Sequence, residues 1–163
     1  MWLRATHQFT LKRADLTVAL SEFVRDDILA SYGQQFAEKV IVIPNPISWD
    51  RFPDTQQPRP DFPYILAVTA HYPHKNLETL LRAFATIRVK FPDYRLVLVG
   101  QRARNLVGAN TTDVVESLIE DLDLQTAVEA TGFISDDQLG YWYRHASLFV
   151  CPSLFEGFGM PPV

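Results

Sequence analysis

Cysteine is almost absent. Cys151 is the only one in 163 residues, so no internal disulfide can form and the fold must rest on packing, as suits a reducing compartment. Cys151 stands in an apolar run and reads as a buried thiol. There is no excess of basic charge either. Fifteen Lys and Arg against nineteen Asp and Glu leave a formal charge of −4, which argues against a nucleic-acid partner bound through a basic face. No apolar run approaches the ~20 residues of a membrane span, and no signal-peptide pattern opens the chain. A cytoplasmic protein is the expectation. Glycine is scarce, with seven in all, and the loop after Val68 has none. That excludes the G-x-G-x-x-G turn of a dinucleotide-binding dehydrogenase. There is also no P-loop, no nucleophile elbow and no Ser/His/Asp set. His71 and His74 have no Cys, Asp or Glu beside them on their loop to complete a metal site.

What is present reads as a globular α/β protein. Hydrophobic residues at 47% and charged residues at 21% can build a core. The length allows one domain and a part of another. Residues 1–14 read as a basic helix containing His7. Leu16–Leu20 and Lys39–Ile43 read as strands. Between them Ser21 caps a helix with Val24, Ile28, Leu29 and Tyr32 on one face and Gly33 as its stop. From Ile47 to Pro63 four prolines, Pro53, Pro58, Pro60 and Pro63, with Gln56-Gln57 mark a linker.

After the linker, strands and helices alternate. Strands are expected at Tyr64–Val68, Tyr94–Val99, Ala127–Thr131 and Ser147–Cys151. The intervening helices start at Asn76, Thr112 and the capping box Ser135-Asp136-Asp137-Gln138. Their apolar faces are Leu77, Leu80, Leu81, Phe84 and Ile87; then Val115, Leu118, Ile119 and Leu122; then Leu139, Trp142, Tyr143 and Ala146. His145 reads as a cap at the end of the last helix. The strands are continuous apolar runs, so both faces should be buried, and the fold class is a doubly wound α/β protein with a parallel sheet. The sheet looks incomplete at both ends, and the chain is expected to be a fragment. The division is then 1–46, 47–63 as a linker, and 64–163.

Ligands of such sheets bind beyond the carboxyl ends of the strands. Three loops lie there: Thr69–Lys75, Gly100–Thr111 with Arg102 and Arg104, and Pro152–Met160. The last runs Pro152-Ser153-Leu154-Phe155-Glu156-Gly157-Phe158-Gly159-Met160-Pro161-Pro162. Two glycines expose backbone N–H groups, and the two prolines are of the kind that open a helix, so the turn is suited to an anion. Lys75 stands on the same side and can neutralise a diphosphate. A carboxylate repels phosphate, so Glu156 is better aimed at the hydroxyls of an attached sugar.

That stretch resembles the signature of the family-4, group 1, retaining glycosyltransferases, which have two Rossmann-like domains. Four more stretches are similar in the same order: Ala14-Asp15-Leu16-Thr17-Val18-Ala19-Leu20-Ser21-Glu22-Phe23, Val42-Ile43-Pro44-Asn45-Pro46-Ile47, Pro73-His74-Lys75-Asn76-Leu77, and Thr131-Gly132-Phe133-Ile134-Ser135 with Leu139 and Tyr143. The resemblance implies transfer of a sugar from a nucleotide-diphosphate donor (UDP-, GDP- or ADP-linked) to the hydroxyl of a sugar, lipid or glycan acceptor, with retention at the anomeric carbon. It implies that 1–46 is the C-terminal part of an acceptor-side Rossmann domain and 64–163 a truncated nucleotide-sugar-binding Rossmann-like domain. It implies Glu156 and Lys75 as catalytic residues. Gly157, Phe158, Gly159, Met160, His71, Gly132 and Phe133 would bind the donor. No metal and no other cofactor is implied. A second glutamate is implied one residue past Val163, so this segment alone is expected to be inactive. Peripheral contact with the inner membrane face would come through the N-terminal domain. One position departs from the family pattern: Ala70 stands where many members carry arginine, with His71 as a partial substitute. The alternative reading is a non-catalytic nucleotide- or anion-binding α/β module.

Overall fold

A computed structural model describes residues 2–48, 52, 57–101 and 114–161. The chain forms two compact units. Unit 1 comprises Met1–Ile47 with Glu156–Met160, and unit 2 comprises Ser48–Phe155 with Pro161–Val163.

Unit 1 is built from helix α1 (Trp2–Arg13), strand β1 (Thr17–Ala19), helix α2 (Glu22–Tyr32), a short 3-10 turn (Gln34–Phe36) and strand β2 (Val40–Val42). The two strands are parallel, with Val18 opposite Ile41. Leu11, Ala19, Leu29, Phe36 and Val40 form the core, with Val24, Ile28 and Tyr32 packed against it. That is the face of α2 expected from its spacing. Ser21 caps α2 as expected, accepting a hydrogen bond from the Val24 N–H at 3.2 Å. At the other end the Gly33 N–H donates to the Leu29 carbonyl at 2.9 Å. Alternation along the strand separates buried Ala19 from Val18, which is 48% exposed, and Ile43 is 50% exposed. The expectation that every strand is buried on both faces therefore does not hold in unit 1.

Unit 2 is a doubly wound sheet. Strands β3 (Tyr64–Val68), β4 (Arg95–Val99), β5 (Val128–Gly132) and β6 (Leu148–Phe149) are connected by helices α3 (Leu77–Arg88), α4 (Val114–Asp121) and α5 (Asp136–His145). The sheet order is β5-β4-β3-β6, with every pair parallel. Two cores flank it because successive side chains point to opposite faces. Ile65, Ala67, Leu96 and Leu98 face Leu77, Leu80, Leu81, Phe84, Val115 and Leu118. Tyr64, Leu66, Val97 and Val99 face Leu139, Trp142, Tyr143 and Ala146. Tyr64 is fully buried and donates its hydroxyl proton to the Trp142 carbonyl at 2.7 Å. Burial, with a smaller push from Tyr141, raises its pKa well above the ordinary tyrosine value, so the phenol stays neutral.

Several local expectations are corrected. Ile87 is 41% exposed, at the end of α3 where the core has run out. Strand β6 has two residues instead of five and lies at the sheet edge, pairing only with β3. Leu148 is 54% exposed. Cys151 lies past the last paired residue and is exposed, not buried. His145 does not cap α5. Its ring packs edge-on to Tyr141, with centroids 4.9 Å apart, and its buried ring nitrogens make no hydrogen bond among the described residues. The capping box at Ser135 and Gln138 is formed as read. Thr112, Arg102 and Arg104 lie outside the described residues.

At the carboxyl ends the ladder continues past the strands. The Thr69 N–H donates to the Val99 carbonyl at 2.7 Å, the His71 N–H to the Gln101 carbonyl at 3.1 Å, and the Gly100 N–H to the Gly132 carbonyl at 3.0 Å. Gly100 makes this possible. Its φ is 147°, and a Cβ there would fall on the Thr69 carbonyl. The Gly100→Ala substitution should therefore cost about 2 kcal/mol or more. Thermal denaturation should show this as a melting temperature lower by about 4–8 °C; an unchanged value would mean that the strand ends are not tightly tied.

Candidate active site

The predicted site residues fall into two groups. His71, Lys75, Gly132 and Phe133 belong to unit 2; Glu156, Gly157, Phe158, Gly159 and Met160 belong to unit 1.

In unit 2 the loop leaving β3 is fixed at its root. His71 is buried, at 7% exposed. Tyr72 and His74 stack at 5.7 Å with an interplanar angle of 15°, and both are exposed. A 3-10 turn over Pro73–Lys75 follows, closed by the Lys75 N–H to the Tyr72 carbonyl and the Asn76 N–H to the Pro73 carbonyl. Lys75, half-buried, thus ends a tight turn two residues before α3 begins. Ala70 brings no charge, and its carbonyl accepts from the Tyr72 N–H at 2.9 Å.

Asn76 stands at the N-cap position of α3 as expected, but its side chain does not do the capping. It adopts the left-handed conformation (φ 55°, ψ 36°) and makes no capping bond with its side chain. Asn is one of the few residues with a side chain that tolerate this conformation. Its Nδ2 donates instead to the Pro152 carbonyl at 3.2 Å, and its Oδ1 accepts from the Thr79 hydroxyl at 2.7 Å. The Leu154 N–H donates to the His74 carbonyl at 2.8 Å. The lysine loop is therefore tied at two points to the chain that has just left β6. Downstream, the Tyr143 hydroxyl donates to the Pro161 carbonyl at 2.6 Å. Local spacing marked Tyr143 only as a core residue, and no spacing rule links position 143 to 161 or 76 to 152.

At the end of β5, Gly132 has φ 74°, and Phe133 is 90% exposed. A large apolar ring is thus left in water at the ligand end of the sheet.

In unit 1 the segment Glu156–Met160 is irregular. Glu156, Gly157, Phe158 and Gly159 are half-buried, and Met160 is 42% exposed. The Ser21 hydroxyl donates to the Gly157 carbonyl at 2.6 Å. The two glycines differ in kind. Gly159 has φ 80°, a conformation that L side chains rarely adopt. Gly157 has no such constraint, and a Cβ there would meet only Val24 Cγ2, at 3.9 Å, an ordinary contact. The fold has room for a methyl group at 157, so the missing side chain leaves the backbone bare there without being needed for folding. The helix start expected after Pro161 involves Pro162 and Val163, which lie outside the described residues.

Among the described residues no cluster of three or more His, Cys, Asp or Glu is placed to hold a metal ion, and no helix is long and apolar enough to cross a membrane. A separate cleft of about 540 Å³, lined by Asp61, Arg88, Asp93 and Arg95 among others, opens at the amino ends of the strands, away from the loops above.

A doubly wound parallel sheet with loops at the carboxyl ends of its strands defines a Rossmann-like α/β class. The pattern described as glycosyl transferases group 1 matches residues 50–163, and the chain belongs to that family. It is 28% identical over 163 residues to the O-antigen chain mannosyltransferase RfbU of Salmonella typhimurium, covering 100% of this chain and 42% of that protein. It is 28% identical over 167 residues to the O-antigen chain mannosyltransferase B of Escherichia coli, covering 93% and 41%. The chain thus spans less than half the length of these relatives. In fold it is similar to a sucrose-phosphate synthase from Thermosynechococcus elongatus, with a TM-score of 0.76 at 24% identity, covering 97% of this chain and 40% of that one.

The two glycines give a direct contrast. Gly159→Ala should cost about 1–2 kcal/mol for the left-handed strain, while Gly157→Ala should change stability by less than about 0.5 kcal/mol. Chemical denaturation of the two variants would check this, and equal losses would contradict the distinction.

Proposed function

We propose that the protein transfers a hexose from a nucleoside-diphosphate sugar to an acceptor hydroxyl, with retention at the anomeric carbon. One observation carries this beyond family membership. The lysine loop is tied at His74 and Asn76 to the chain that leads into the Glu156-Gly157-Phe158-Gly159 turn.

In this reading the bond from the anomeric carbon to the β-phosphate oxygen breaks, and its electron pair leaves with the nucleoside diphosphate. The acceptor oxygen bonds to the same face, and its proton passes to the departing phosphate. Negative charge grows on the phosphate and positive charge on the sugar ring. Lys75 offsets the first, aided by the amides of Gly157, Phe158 and Gly159. Glu156 orients the sugar hydroxyls and steadies the second charge. Lys75 supplies the positive charge that a divalent ion brings in other transferases, so the reading is metal-independent. Phe133 offers an apolar face to the base, with Gly132 leaving the approach open. His71 holds the root of the lysine loop, and Met160 borders the sugar. The relatives' names make a mannosyl donor the first to test, on a sugar, lipid or glycan acceptor. A cytoplasmic site of action, with contact at the inner membrane face, belongs to the same proposal.

The test is a donor screen on the full-length protein with UDP-, GDP- and ADP-sugars, repeated for Lys75→Ala and Glu156→Ala. Each substitution should lower kcat/KM at least about 100-fold, the scale of losing one fixed electrostatic contact in a transition state, without change in melting temperature. Turnover near wild type in either variant would remove that residue from the mechanism. Nucleotide binding without transfer to any acceptor would favour the non-catalytic reading.

A further inference from the structure

Ser21 uses both capacities of one hydroxyl. As the N-cap of α2 its oxygen accepts from the Val24 N–H at 3.2 Å, with extended backbone angles (φ −154°, ψ 162°). Capping needs only an acceptor, so the hydroxyl proton is left over. It is donated to the Gly157 carbonyl at 2.6 Å, across 136 residues of sequence. Both residues belong to unit 1. The neighbouring Val24 lies against the same glycine, 3.9 Å from where its Cβ would stand.

The consequence follows from the planarity of the peptide. The carbonyl of Gly157 and the N–H of Phe158 belong to one trans peptide unit and point in opposite directions; no cis bond occurs among the described residues. Holding the carbonyl toward Ser21 therefore aims the Phe158 N–H the other way. Glycine places little restraint on its own torsions, and a peptide that follows glycine can rotate. If it did, the carbonyl oxygen would be presented where the amide had been, and an anion would meet a negative dipole end.

We propose that Ser21 is a positioning residue for the donor turn: its hydroxyl holds the Gly157–Phe158 peptide in the orientation that offers the Phe158 amide to the donor phosphates. This rests on the proposed function. It assigns to a helix cap in unit 1 a second role that the cap itself does not require.

Three variants of the full-length protein separate the two roles. Ser21→Asp keeps an excellent capping acceptor but has no proton to donate at neutral pH. Ser21→Ala loses both roles, and Ser21→Thr keeps both. The melting temperature should fall by about 2–4 °C in Ser21→Ala and hold in Ser21→Asp and Ser21→Thr. The Gly157 carbonyl carbon resonance, measured by NMR without donor on protein carrying carbonyl-labelled glycine and amide-labelled phenylalanine, should move upfield in Ser21→Ala and Ser21→Asp, the direction expected when a carbonyl loses its hydrogen-bond donor. Ser21→Thr should stay close to wild type. kcat/KM for the donor should fall about tenfold with that change, the scale of one hydrogen bond to a backbone group, and not with the melting temperature. A wild-type resonance and wild-type transfer in Ser21→Asp would overturn the proposal and leave Ser21 as a cap alone, as would an upfield change in Ser21→Thr. The carbonyl readout needs no substrate. If wild type transfers no sugar but the carbonyl contrast stands, the transferase reading fails and the clamp on the peptide does not.

Discussion

The candidate site depends first on how closely β3 and β4 approach at their carboxyl ends. Gly100 leaves space for the Thr69 carbonyl where any side chain would clash. That approach lets the ladder run on to His71 and Gln101, one step beyond regular strand. A loop that would otherwise leave the sheet at Val68 is thereby held for three more residues. The short turn that ends in Lys75 starts from a fixed root, and a lysine is useful to a diphosphate only if its charge is held in place before the ligand arrives.

The second requirement is to bring the chain after β6 to that loop, although β6 itself is weak. It has two residues, one neighbour and an exposed leucine. Hydrogen bonds from Asn76 and Leu154 compensate, tying backbone to loop where the ladder has ended. Tyr143 fixes the chain again at Pro161. In unit 1 the glycine turn keeps a bare backbone. Gly159 is glycine because its torsion demands it, while Gly157 is not constrained in that way. Ser21 adds direction to the peptide that follows Gly157.

Much of this was legible in the sequence where one local rule decides the outcome. Continuous apolar runs gave β3 and β4 as parallel, doubly covered strands, because their residues must satisfy a core on each face. The capping box at Ser135 and the cap at Ser21 followed from residue type and spacing. Reading failed where tertiary position decides. Cys151 and Leu148 have the apolar character of core residues but stand on a sheet edge, which composition does not reveal. Asn76 has the residue type of a cap but takes the left-handed conformation, so its side chain turns to Pro152. Val18 in β1 and Ile43, just past the end of β2, carry apolar side chains that are about half exposed among the described residues. The site residues were named by motif, but the bonds that hold them, from Ser21, Asn76 and Tyr143, join positions far apart in the chain and have no periodicity to expose them.

The carboxyl ends of the unit 2 strands are the proposed seat of the donor's diphosphate. A crystal structure of the full-length protein with a nucleoside diphosphate tests this most directly. The expected result is the β-phosphate within about 3 Å of Lys75 Nζ, with the base against Phe133. A diphosphate seated instead in the cleft at the opposite end of the sheet, between Arg88 and Arg95, would contradict it.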